Sequence, residues 1–172
     1  SDKTRIAVVE DNAPQRMILI RLLEGEYAVA EFANGEAFLA APADFDAVLL
    51  DIEMPGLSGY DTCRRLREGG TEVPVIFVSA HDTAPERLAA YEAGGDDFIT
   101  KPIAAAELRH KVAAVVQQRR RIKDLAAQSA SASQAAFSAM STMGDLGVVI
   151  EFLRQGAGAA THDALARRLS EA

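Results

Sequence analysis

Glu10, Asp11, Asp51, Ser79 and Lys101 are the side chains of this sequence that could do chemistry together. They amount to three carboxylates, a hydroxyl and an ammonium. Carboxylates held close repel one another and raise each other's pKa unless a cation joins them. Mg²⁺ is the fitting ion, because it takes oxygens from one or two carboxylates and keeps its waters and phosphate oxygens. Asp51 alone is open to three readings: metal ligand, nucleophile or helix cap. The three histidines, His81, His110 and His162, have no ligand partners at useful spacing and read as ordinary surface or loop residues.

These five residues can meet only if the chain brings them to one place. Ala47-Val48-Leu49-Leu50 is an apolar run that ends at Asp51, and Met54-Pro55-Gly56 then stops regular structure. That pattern fits a buried strand with Asp51 at its carboxyl end. Arg5 to Val9 is a first strand running into the acidic Glu10-Asp11-Asn12 loop. Tyr27 to Phe32 is a second strand, and Phe45 to Asp51 the third. Val75 to Ser79 is the fourth, and Asp97 to Thr100 a short fifth, followed by Lys101-Pro102. Helices fall between them. Pro14 suits a first turn, and Met17, Ile18, Leu19, Leu22 and Leu23 give an apolar face. Further helices run from Glu36 to Ala40, closing near Pro42, then from Gly59 to Glu68 and from Pro85 to Ala93. A last one starts near Ala104. Cys63 reads as a core-facing residue of the third helix.

Strict strand–helix alternation implies a parallel sheet with helices on both faces and right-handed crossovers. No Rossmann glycine pattern follows the first strand. The expected fold is therefore α/β, doubly wound and flavodoxin-like, with five strands in the order 2-1-3-4-5. Strands one, three, four and five then end side by side. This places Glu10-Asp11, Asp51, Ser79 and Lys101 on the ligand-binding edge.

The 172 residues suggest one domain, residues 1–121, plus an appendage, residues 122–172. With 49% hydrophobic residues the chain can build a packed core. A net charge of −7 argues against nonspecific nucleic-acid binding. The single cysteine allows no intramolecular disulfide and fits a reducing cytoplasm. No apolar run approaches the ~20 residues needed to cross a bilayer, and no signal peptide is visible.

The last helix should outrun the domain. From Leu108 its apolar and small residues continue through Val112, Val115, Ile122, Ala126 and Ser129, broken by Arg119. This rhythm suggests a weak dimeric coiled coil. Arg119 to Arg121 read as a solvated surface, and Gln128 to Ala136 as continued helix or flexible linker. Thr142 to Asp145 resembles a capping box before a helix with Leu146, Val149, Ile150 and Leu153. Thr161 could cap another with Leu165 and Leu169.

Several of these pieces together carry a resemblance. They are Val9-Glu10-Asp11-Asn12, Leu50-Asp51-Ile52-Glu53-Met54-Pro55-Gly56, Gly59, Val78-Ser79-Ala80, and Ala93 to Pro102. In that order and spacing the chain resembles the receiver domain of bacterial two-component response regulators, of the chemotaxis type, over roughly residues 4–120. The helical extension lies outside the resemblance.

The resemblance implies roles. Asp51 would be the phosphoacceptor, attacking phosphorus to give an aspartyl-phosphate. Asp11 would bind Mg²⁺ directly along with Asp51, the Glu53 backbone carbonyl would be a further ligand, and Glu10 would help through water. Lys101 would pair with phosphoryl oxygens. Ser79 and Phe98 would form the switch: Ser79 moves toward the phosphoryl group and Phe98 rotates inward behind it. The Lys101-Pro102 bond would be cis. The Glu53 side chain would border the path of attacking water, and Ala80 would leave the site open to a partner's histidine.

The implied protein is a phosphorylation-controlled regulator in the cytoplasm, not a stand-alone enzyme. Its partners would be a histidine kinase or phosphotransfer protein and a second copy. The copy would bind through the surface of the fourth helix, fifth strand and fifth helix, or through the tail. An output domain following residue 172 and a complete adaptor acting through its tail are both open. A different class is a haloacid-dehalogenase-like Mg²⁺-dependent phosphatase, since Asp51-Ile52-Glu53 approaches its paired-carboxylate spacing. The Met54-Pro55-Gly56 and Asp96-to-Pro102 segments fit a receiver instead.

Overall fold

The computed structural model describes residues 3–41 and 44–142, with the backbone alone for 138–142. The chain divides into two compact units, Ser1–Ile122 and Lys123–Ala172. The first holds five strands: β1 (Arg5–Val9), β2 (Ala28–Phe32), β3 (Ala47–Asp51), β4 (Val75–Ser79) and β5 (Asp97–Thr100). They form one parallel sheet in the order β2-β1-β3-β4-β5, as expected from the alternation. Helices α1 (Ala13–Leu23), α2 (Gly35–Ala40), α3 (Gly59–Glu68), α4 (Ala84–Glu92) and α5 (Ala105–Thr142) connect and follow them.

Both faces of the sheet are covered, so β3 and β4 are buried along their whole length. This is why their sequences are continuous apolar runs rather than alternating ones. Successive side chains point to opposite faces, and the core divides accordingly. Val48, Leu50, Phe77 and Phe98 pack with Phe38, Cys63 and Ala90 of α2, α3 and α4. Ile6, Val8, Leu49, Ile76, Val78 and Ile99 pack with Leu19 and Leu23 of α1 and Leu108, Val112, Val115 and Val116 of α5. Each large side chain buried this way contributes roughly 1.5–3 kcal/mol.

Several expectations need correction. The second and third strands start later than expected, at Ala28 and Ala47. Phe45 lies outside β3 and packs its ring 5.9 Å from that of Phe32. In α1, Leu19 and Leu23 are buried, but Met17 and Ile18 are 49% and 55% exposed. At about 100° per residue those two lie roughly 200° and 100° around the helix from Leu19. Of the two readings open for Gln128 to Ala136, continued helix is the one found.

The triple arginine is also not simply solvated. The Arg119 side chain is 15% exposed and lies 3.8 Å from Asp44, while Arg120 donates to the Thr4 hydroxyl. Thr4 and Asp44 precede β1 and β3, so α5 is clipped to the amino edge of the sheet. Beyond that clip, Ile122, Leu125 and Phe137 are exposed. Helix α2 ends at Ala40, as expected; Pro42, the capping-box residues after Thr142, the two helices expected beyond them and His162 lie outside the described residues.

Candidate functional site

Parallel strands share a direction, so the carboxyl ends of β1, β3, β4 and β5 meet at one edge. The structure brings all five chemistry-bearing residues there. Asp51 closes β3 and Ser79 closes β4, while Glu10 and Asp11 follow β1 and Lys101 follows β5. The Lys101 amide donates to the Ser79 carbonyl at 2.7 Å, which extends the β4–β5 ladder to the site. The Lys101-Pro102 bond is cis.

Backbone details fix the surroundings. Asn12 caps α1, its side chain accepting from the Gln15 amide, so the acidic loop is short and defined. Gly59 packs against the end of β3. A Cβ there would stand 2.2 Å from the Asp51 carbonyl oxygen and 2.8 Å from Ile52 Cα. Gly56 turns the β3–α3 loop with φ 77°, and the Glu36 carboxylate accepts from the following Leu57 amide at 3.1 Å.

The carboxylate oxygens of Glu10, Asp11 and Asp51 lie within 4.8 Å of one another. Glu10 and Asp51 are almost fully buried, at 1% and 4% exposure, whereas Asp11 is open to solvent. One ammonium serves both buried acids: Lys101 Nζ lies 3.1 Å from Glu10 Oε2 and 3.4 Å from Asp51 Oδ1. It also donates to Gln15 Oε1. Glu10 Oε1 accepts from the Asn12 amide at 3.1 Å.

Burial first, and the Glu10 charge second, push the Asp51 carboxyl up to about 7 against the opposing Lys101 ammonium. The site is thus short of positive charge. Its donor set is all oxygen, from acidic groups beside a cleft of about 200 Å³ lined by Asp11, Asp51, Glu53, Ala80 and Lys101. That chemistry fits a small hard dication, and the cluster could hold one.

Ser79 is buried, and its hydroxyl makes two hydrogen bonds. It donates to Glu86 Oε2 at 3.2 Å and accepts from the His81 amide at 3.1 Å. Phe98 is wholly buried on β5, with the Arg87 guanidinium 5.0 Å from its ring centre. In this arrangement the ring already lies inside, the position that the expected inward rotation of Phe98 would give it. The Glu53 carboxylate is exposed and lies 3.3 Å from Nε2 of His81, itself an exposed loop residue.

Two residues here escaped the sequence reading, Gln15 and Glu86. Gln15 is 86 positions from Lys101 and carries no charge, so nothing in the sequence marked it. Glu86 lies seven positions beyond Ser79, in the first turn of a helix opened by Pro85, where an acidic residue is commonplace. A second cleft, of about 530 Å³, adjoins the site and is lined by Ile18, Leu19, Ala80, Lys101, Pro102 and Ile103.

Comparison with known proteins agrees with this geometry. The family model of the response regulator receiver domain matches residues 6–113. The chain is 37% identical over 121 residues to the transcriptional regulatory protein ResD of Bacillus subtilis, covering 69% of this chain and 50% of ResD. It is 38% identical over 132 residues to the response regulator MprA of Mycobacterium leprae, covering 75% of this chain and 57% of MprA. The chain therefore spans about half the length of the curated relatives it matches. Among solved structures, the response regulator DrrB of Thermotoga maritima, an OmpR/PhoB homolog, superposes with a TM-score of 0.63 at 32% identity. That match covers 67% of this chain and 53% of DrrB. A BeF3-activated DrrB receiver domain gives the same TM-score, 0.63, over 66% of this chain and 97% of that one. With the sheet order, the clustered acids and the matching model in agreement, the chain belongs to the response regulator receiver domain family.

Proposed function

We propose that Asp51 accepts a phosphoryl group from a histidine kinase or phosphotransfer protein and that the domain signals its phosphorylation state to an output. One observation carries this: Asp51 stands at the strand edge with Glu10 and Asp11, its carboxylate 3.4 Å from the Lys101 ammonium and within 4.8 Å of both acids. An Asp51 oxygen attacks phosphorus, the phosphorus–nitrogen bond of the donor phosphohistidine breaks, and the imidazole leaves with the bond's electrons. Attack requires the ionised carboxylate, which Lys101 favours and a bound dication would favour further. Lys101 offsets charge on the transferring oxygens, and Ser79 donates its hydroxyl to one of them after transfer.

Asp11, Asp51 and the Glu53 carbonyl would hold Mg²⁺, with Glu10 assisting through water. When bound it supplies positive charge to the transferring phosphoryl oxygens. Ala80 and the apolar cleft beside Ile18 and Ile103 leave room for the donor's helix and its histidine. The domain assists its own phosphorylation and hydrolysis but is no stand-alone enzyme. The Glu53 carboxylate, turned to His81, is poorly placed for the acid/base work a phosphatase would ask of it.

The relatives named as transcriptional regulators support an output domain, and α5 is the element that leads toward residue 172. A second copy would bind through the α4-β5-α5 face or through the exposed Ile122, Leu125 and Phe137. No helix among the described residues is long and apolar enough to cross a membrane, which suits a cytoplasmic regulator. Acetyl phosphate and Mg²⁺ test the assignment. Intact mass should show one added phosphoryl group on the wild type and none on Asp51→Asn. Labelling that persists in the variant would refute it.

A further inference from the structure

The hydroxyl of Ser79 has a single hydrogen to give, and in this structure Glu86 takes it at 3.2 Å. Glu86 is well placed to do so. It sits in the first turn of α4, where its amide is capped by the Thr83 hydroxyl. Its carbonyl accepts from the Tyr60 hydroxyl of α3 at 3.2 Å. The Glu86 backbone, from which the carboxylate reaches Ser79, is therefore fixed by the α4 cap and by α3. The next residue, Arg87, lies over Phe98 and pairs with Asp82. One turn of α4 thus engages Ser79 through Glu86 and covers Phe98 through Arg87.

We propose that Glu86 is a positioning residue that holds Ser79 in the resting arrangement and competes with a phosphoryl group on Asp51 for the Ser79 hydroxyl hydrogen. This rests on the reading of Asp51 as the phosphoacceptor. A phosphoryl group brings oxygens with more negative charge than a carboxylate. To bond one of them, Ser79 must release Glu86. The Glu86 carboxylate then loses its partner while a like charge arrives nearby, and both effects drive the α4 turn away from the site. Arg87 moves with that turn and uncovers Phe98. In this scheme the aromatic change follows the loss of the serine–glutamate bond rather than a vacancy behind Ser79. A receiver held this way binds a phosphoryl group with an apparent affinity reduced by the fraction of molecules whose latch is closed.

Beryllium fluoride, a phosphoryl mimic, tests this by calorimetric titration of the full chain with Mg²⁺ present. Glu86→Ala should tighten apparent binding by about three- to ten-fold, and Glu86→Gln should tighten it by less, since an amide oxygen still accepts. The Gln variant keeps the helix start intact and decides the matter if the Ala variant fails to fold. Against a Ser79→Ala background, Glu86→Ala should change nothing. Equal affinity of wild type and both Glu86 variants would overturn the latch. Tightening that survives without Ser79 would also overturn it, because only bulk charge would then be at work. A wild type that binds no beryllium fluoride would instead overturn the Asp51 reading, and the latch with it.

Discussion

Lys101 Nζ stands 3.4 Å from Asp51 Oδ1, and the same ammonium lies 3.1 Å from Glu10 Oε2. A single cation thus serves two carboxylates that are nearly shut off from water. A buried ion pair gains little over a well-packed apolar site, but losing one partner leaves an uncompensated charge.

Lys101→Met should therefore act on stability and on chemistry together. Without added metal, unfolding by urea should show a loss of about 3 kcal/mol, on the scale of breaking a buried pair. Added Mg²⁺ should restore part of it, because the ion supplies charge to the same acids. Phosphorylation by acetyl phosphate should slow by about 10²-fold, the scale of removing one charge-stabilising group. Unchanged labelling would remove Lys101 from the site's chemistry.

Asp51 predicts a pH dependence. Its folded-state pKa is raised from 3.8 to about 7, first by burial and then by Glu10. The folded state therefore holds this proton more tightly than the unfolded chain does. The stabilisation is complete below about pH 4 and is lost as pH rises through about 7, with an upper bound of about 4 kcal/mol from a shift of about three units. In chelator, wild type should lose stability across that window relative to Asp51→Asn, and at pH 8 the variant should be the more stable. Parallel stability curves for the two proteins would contradict this.

Gly59 offers a steric test. A Cβ there meets main-chain atoms at 2.2 and 2.8 Å, and backbone at the end of a buried strand cannot step aside as a flexible side chain could. Gly59→Ala should cost about 2–3 kcal/mol in urea unfolding, the usual scale of overpacking. Gly25→Ala, where nothing lies within 4 Å, is the matched control and should stay within about 0.5 kcal/mol.

Ile122 and Leu125 are 58% and 59% exposed on α5. Replacing both with Ser should leave receiver stability within about 0.5 kcal/mol of wild type, as for other exposed positions. If they form a seam with a second copy, sedimentation should show the dimer constant weakened by at least about tenfold, which corresponds to roughly 1.4 kcal/mol. An unaltered dimer constant would move the interface to the α4-β5-α5 face.

How far the sequence could be read follows from which contacts are periodic. β3 and β4 are covered on both sides, so Val48 to Leu50 and Val75 to Val78 announce themselves as unbroken apolar runs. Once the strand order was inferred, Asp51, Ser79, Lys101 and Glu10 fell on one edge without further assumption. What stayed hidden were side chains whose partners are remote in sequence and whose types are ordinary. Gln15 and Glu86 are such residues, as are Arg119 and Arg120 against Asp44 and Thr4. Met17 and Ile18 misled in the other direction, because apolar type alone does not say that a neighbour covers them. Phe98 falls on its expected strand, but the burial of its ring depends on neighbours that residue type does not name.

The Arg119–Asp44 and Arg120–Thr4 contacts sit at the amino edge of the sheet, the opposite end of β1 and β3 from Glu10 and Asp51. The fastening of the exit helix and the reactive groups thus share strands but no side chains. A chimera joined after Arg121 would carry both sets of contacting residues. The domain is in this sense a detachable part, with its own seal at the seam.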